Sequence, residues 1–82
     1  MNEYKVMEKY YGKFNEVICV CKCQHIVQAV LIVDALRKYR EGRPYSYRVE
    51  CSAEAREDAV WFYDRPLTKD PGFDIEAYFE WK

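Results

Sequence analysis

Apolar and polar positions alternate through the first 23 residues, lose that alternation for about the next eighteen, and regain it after Gly42. A repeat of two is the side-chain period of a strand, and a repeat near 3.6 is that of a helix. Residues 1–11 read as a strand, with Tyr4, Val6, Glu8 and Tyr10 on one face and Lys5, Met7, Lys9 and Tyr11 on the other. Gly12 and Lys13 mark a turn, and residues 14–23 resume as a second strand. Its β-branched content and bounding glycine favour a hairpin. Val17, Cys19, Cys21 and Cys23 are expected on its more purely apolar face, under a helix. Phe14, Glu16, Ile18, Val20 and Lys22 take the other face.

Residues 24–41 contain neither glycine nor proline and end on Arg37, Lys38 and Arg40, whose charge suits the C-terminal end of a helix dipole. Gly42 suits the helix stop, and Pro44 prevents resumption. At 100° per residue, Ala29, Ile32, Val33, Leu36 and Tyr39 form one stripe, taken as the core face. Val27, Val30 and Leu31 fall outside it, so the first half of this helix is apolar nearly all round and needs a second surface to pack against.

Residues 45–51 alternate again, with Tyr45, Tyr47, Val49 and Cys51 on one face. Residues 52–58 read as a loop or a single helical turn, with Ser52 as an N-cap. Residues 59–63 are expected as a short strand that places Trp61 and Phe62 on opposite faces. The competing reading is a helix from residue 53 to 63, because Ala55, Ala59 and Phe62 stand at helical spacing. Residues 67–74, with Pro71 and Gly72, read as loop, and residues 75–81 as a short strand or a docked aromatic tail. The order β-β-α-β-β predicts a single α+β domain over residues 1–82, an antiparallel sheet with one long helix across a face.

Composition narrows the function. The chain has 82 residues, half of them apolar and 17% aromatic, which suits one folded core and no second domain. With 13 basic and 14 acidic residues the net charge is −1, so no global field draws it to nucleic acid or to an anionic membrane. The apolar run 26–33 is too short to span a bilayer, and no secretory leader pattern opens the chain. The expected setting is the cytoplasm, with reduced thiols and no membrane partner.

Cys19, Cys21, Cys23 and His25 form a C-x-C-x-C-x-H string, to which Cys51 could add a ligand. Thiolate and imidazole suit zinc or copper(I). Alternate strand residues, however, sit about 6.5–7 Å apart and point in parallel, unlike the turning C-x₂₋₄-C knuckle of a structural zinc site. Core thiols are therefore the first expectation, with no metal and no cofactor, and a thiolate metal protein is an alternative. His25, the one histidine, stands at a helix start, where the dipole disfavours its charge. No nucleophile elbow, zinc-protease, P-loop or dinucleotide signature occurs, and the expectation is a chain that is not an enzyme.

Two charged regions remain. Residues 36–48 combine Arg37, Lys38, Arg40, Arg43 and Arg48 with three tyrosines, a composition suited to phosphates and stacked bases. The last third gathers Glu54, Glu57, Asp58, Asp64, Asp70, Asp74, Glu76 and Glu80 around Trp61, Phe73, Tyr78, Phe79 and Trp81, as a contact surface for a basic partner would. Small size, segregated charge and freedom from motifs resemble, in general layout over the whole chain, small accessory proteins of phages and mobile elements, including anti-CRISPR and other anti-defence inhibitors. The first functional expectation is a non-catalytic protein-binding module, an inhibitor or adaptor, with a homodimer as one form. Val27, Val30, Leu31, Ile18, Val20, Trp61, Tyr78 and Trp81 are its candidate contact residues. The alternative is a nucleic-acid binder using Arg37, Lys38, Arg40, Arg43 and Arg48.

Overall fold

A computed structural model describes residues 2–12, 15–63 and 74–81. Its elements are β1 (Tyr4–Tyr10), β2 (Glu16–Cys23), α1 (Ile26–Tyr39), β3 (Tyr45–Glu50), α2 (Ala53–Tyr63) and α3 (Glu76–Phe79). The three strands form one antiparallel sheet in the order β2-β1-β3, so α1 carries the chain from one outer strand across β1 to the other. The α+β class and the antiparallel sheet expected from the pattern are both present.

Residues directly opposite in antiparallel strands share a face. Val6 stands between Cys21 and Val49, and Glu8 between Ile18 and Tyr47. This face holds Tyr4, Val6, Cys23, Tyr47 and Val49, which pack with Ile26, Ala29, Val30 and Val33 of α1 and Ala55 and Ala59 of α2. Ile75 and Phe79 complete the same core. The helices thus cover one face of the sheet.

Four expectations are corrected. The register slips by one residue between Val6 and Met7, so Cys21 opposes Val6 whereas Cys19 opposes Met7. That bulge at Val20 reverses the phase of the strand. Cys21 and Cys23 lie under the helices as expected, but Val17 and Cys19 point to the far face and Ile18 to the helix side. Second, the strand expected over residues 59–63 belongs to α2. The Ser52 hydroxyl accepts the Ala55 N–H at 3.2 Å, the capping role expected of it, and Ala55 and Ala59 bury one small-residue stripe. Third, of the two readings of residues 75–81, a short strand or a docked aromatic tail, the strand is not formed and the docked tail is. The tail docks through Ile75 and Phe79 around the single turn of α3.

The fourth correction concerns α1. Val30, expected outside the core stripe, is buried, while Tyr39, expected inside it, is 76% exposed. The buried stripe is Ile26, Ala29, Val30 and Val33, because α2 and α3 supply the second packing surface beside the sheet. Arg37 falls on this stripe one turn later. Its guanidinium donates to the carbonyls of Tyr47 at 3.2 Å and Ala77 at 3.1 Å, tying α3 to the sheet. The helix closes with the Arg40 N–H on the Leu36 carbonyl, and Gly42 takes a φ of 80° that suits glycine. The turn expected at residues 12–13 and the loop at 67–74 lie largely outside the described residues.

Candidate partner-binding surfaces

β2 is an outer strand, and its edge away from β1 pairs with no strand among the described residues. From Glu16 to Val20 every residue of it is exposed, including Val17 at 48%, Ile18 at 46% and Val20 at 40%. Leu31, on the adjoining flank of α1, is 63% exposed. A shallow groove of about 460 Å³ lies elsewhere, beside Trp61 and Arg56 on α2. A strand with unpaired N–H and C=O groups and apolar side chains on both faces is a template for another strand.

The expected contact residues divide sharply. Ile18, Val20 and Leu31 gather on the β2 side of the molecule and are exposed. Val30 is core, and Val27 is half-buried at the start of α1. Trp61 is exposed on α2. The Tyr78 hydroxyl donates to the Asp34 carboxylate at 3.0 Å, and its ring lies 5.1 Å from the Arg37 guanidinium, so it serves the docking of α3. Trp81 is half-buried on the opposite face of the sheet from α1.

That opposite face carries no helix among the described residues. Its rows are Lys22–Lys5–Glu50, Cys19–Met7–Arg48 and Val17–Lys9–Ser46, followed by Tyr11 at the end of β1. The Trp81 ring lies 4.8 Å from the Arg48 guanidinium and 5.6 Å from the Lys9 ammonium, and the Tyr11 ring 4.8 Å from the same ammonium. Ser46 donates to the Tyr11 hydroxyl. Among the described residues two carboxylates share the face: Glu50 pairs with Arg48 at 3.1 Å and Glu3 approaches Lys22 at 4.0 Å. The basic stretch expected to act together is dispersed. Arg37 is a strut inside the fold, and Arg40 stacks 4.4 Å over Tyr45 on the helix side. Lys38 and Arg43 are exposed near the end of α1. Only Arg48 joins the open face, where Lys5, Lys9 and Lys22 were not anticipated. The period-two pattern of the first strand already placed Lys5 and Lys9 together. The alternation of β2 likewise put Lys22 on the face away from the helix, and only the register that sets it opposite Lys5 was not legible.

The cysteines depart from the expected geometry. The sulfurs of Cys21 and Cys23 lie 4.0 Å apart, because both side chains lean together under α1. Cys19 donates weakly to the Cys21 carbonyl, on the other side of the sheet plane. Burial, reinforced by the neighbouring Cys23, pushes the Cys21 thiol up to about 11, and burial also raises that of Cys51. All four cysteines are free thiols. A thiol with a raised pKa is a poor thiolate ligand and a poor nucleophile near neutrality. Among the described residues, no three His, Cys, Asp or Glu side chains converge as a metal site would require. Nor is any described helix long and apolar enough to cross a membrane.

Comparison with protein-family models, with curated proteins and with solved structures yields no match.

Proposed function

We propose that this chain is a non-catalytic protein-binding module that docks through the edge of β2, and that its first partner is a second copy of itself. The observation that carries the reading is the exposure of Val17, Ile18 and Val20 on an outer strand beside Leu31. Strand addition supplies main-chain hydrogen bonds from the edge and apolar contact from the side chains. In a two-fold antiparallel pairing, opposed residues must share a face, so the axis passes through a residue. Centring it on Ile18 sets Ile18 against Ile18 of the second copy on the helix side, and Val17 against Cys19 of the second copy on the open side. This uses the regular stretch of β2 before the bulge. The general layout resembles that of small inhibitors and adaptors carried by phages and mobile elements, and four free thiols suit a reducing cytoplasm.

Sedimentation equilibrium at micromolar concentrations, under reductant so that exposed Cys19 cannot cross-link copies, tests the proposal. The expected mass is twice the 9.9 kDa of the chain. Ile18→Lys returns it to the monomer mass while leaving folding stability within about 0.5 kcal/mol, as expected at an exposed site. A monomer at every concentration overturns the reading.

A further inference from the structure

We infer that the open face of the sheet is a binding site for single-stranded nucleic acid. Lys5, Lys9, Lys22 and Arg48 stand on one face of the sheet, spread over all three strands by the register. Lys5 and Lys22 are directly opposite on adjacent strands, and Lys9 is about 13 Å along β1 from Lys5. The Trp81 and Tyr11 rings lie among these cations. An array of cations over a sheet face with aromatic rings meets the two requirements of a single strand, phosphate neutralisation and a stacking surface for bases.

The net charge of −1 does not oppose this, because the charge is segregated. Against four cations the open face carries, among the described residues, Glu3 and Glu50, each beside one of those cations. Glu54, Glu57, Asp58 and Glu76 belong to α2 and α3, which pack on the opposite face of the sheet. A polyanion therefore meets a local excess of positive charge, within the distance over which physiological salt leaves charges effective. A plainer account makes the cations a cap for the Trp81 ring. It explains Lys9 and Arg48 but not Lys5 and Lys22, whose side chains reach toward solvent; that of Lys22 is 63% exposed.

Single strand is favoured over duplex by shape, since no described helix projects from this face to enter a major groove. An acidic protein would engage the cations alone, whereas a single strand engages cations and rings together.

The test is fluorescence anisotropy of labelled oligothymidylate and oligouridylate titrated with the full chain across a salt series. Trp81 emission is followed in a Trp61→Phe background. Expected are binding at low salt, quenching of Trp81, and a log–log salt slope of about −2 to −3, since four phosphate contacts to a single strand give about −0.7 each. Lys5→Glu and Lys22→Glu, both at exposed positions, are each expected to weaken binding and to flatten the slope by about 0.7 or more. Trp81→Phe, which keeps a ring, is expected to bind better than Trp81→Ala, which should lose at least about five-fold. Circular dichroism confirms the fold of each variant. Absence of binding at low salt overturns the inference. So does binding that survives Lys5→Glu and Lys22→Glu, and so does displacement of the oligonucleotide by polyglutamate at equal charge concentration, which would assign the face to acidic proteins.

Discussion

The Tyr47 side chain is 2% exposed, and its hydroxyl donates to the Glu8 carboxylate at 2.7 Å, joining β3 to β1 on the helix side. Burial first, and then the Glu8 carboxylate, disfavours the phenolate, so the Tyr47 pKa is pushed up from 10.0 to about 12. The Tyr4 hydroxyl, which donates to the Ala55 carbonyl, is raised as well, chiefly by burial. Cys21 moves from 9.0 to about 11 for the same first reason. In each case the fold prefers the protonated group, while the unfolded chain releases its proton at lower pH. The stability these groups contribute is therefore fully present below about pH 9 and lost as pH rises through 9 to 12. Urea unfolding should give a plateau near neutrality and a steep decline on the alkaline side, with little change on the acid side from these three groups. Tyr47→Phe should cost about 1–2 kcal/mol at neutral pH, because Glu8 loses a buried donor, and should shrink the alkaline decline. A decline of unchanged size in that variant would mean the other groups carry it.

At the level of elements, α2 shows both what the chain's pattern conveys and where it stops. Ser52 caps it, with the hydroxyl on the Ala55 N–H and the Ser52 carbonyl on the Arg56 N–H. Ser52→Ala is expected to cost about 1 kcal/mol, measured as a shift of the urea midpoint at constant slope, and Ser52→Asp to restore most of it. Loss of less than a few tenths would show that packing of Ala55 and Ala59 alone sets the start of the helix. The capping residue was legible in the sequence, yet the helix beyond it was not preferred. Val60, Trp61 and Phe62 in succession carry strand propensity, and only burial of the alanine stripe decides for the helix. β1, β2, α1 and β3 were legible because each repeats its period several times. The bulge at Val20 was not, since one extra residue is chosen by the pairing of two strands and leaves no local mark. That single slip moved Cys19 and Val17 to the open face. On α1 the expected Ala29, Ile32, Val33 and Leu36 do meet the core, but the stripe also takes in Ile26 and Val30 and leaves out Tyr39, because its second packing surface comes from α2 and α3, far along the chain. Of the proposed binding surface, Ile18, Val20 and Leu31 were readable as apolar residues lacking an assigned place in the core. The cation array was readable only in halves.

Across the whole molecule the two proposed surfaces meet at β2, which contributes its edge to self-association and Lys22 to the open face. A two-fold axis perpendicular to the sheet keeps both sets of helices on one side and both open faces on the other. The proposed dimer would then present a continuous six-stranded surface, with eight cations where one copy has four. A strand long enough to cross the two-fold axis would engage both copies, whereas a short one would occupy a single copy. Length should consequently decide whether the two events are coupled. For the long oligonucleotide, the second contact is intramolecular and gains from effective concentration. Thermodynamic linkage then requires that it tighten self-association by the same factor by which self-association tightens its binding. Ile18→Lys lies on the helix side of β2 and contacts none of the open-face cations, so it should leave short-oligonucleotide binding unchanged while weakening that of the long one. Sedimentation equilibrium should show the long oligonucleotide shifting the wild type toward dimer and having no such effect on Ile18→Lys. Equal affinity of wild type and Ile18→Lys for the long strand would separate the surfaces into independent sites, and equal weakening at both lengths would place part of the nucleic-acid contact on the β2 edge itself.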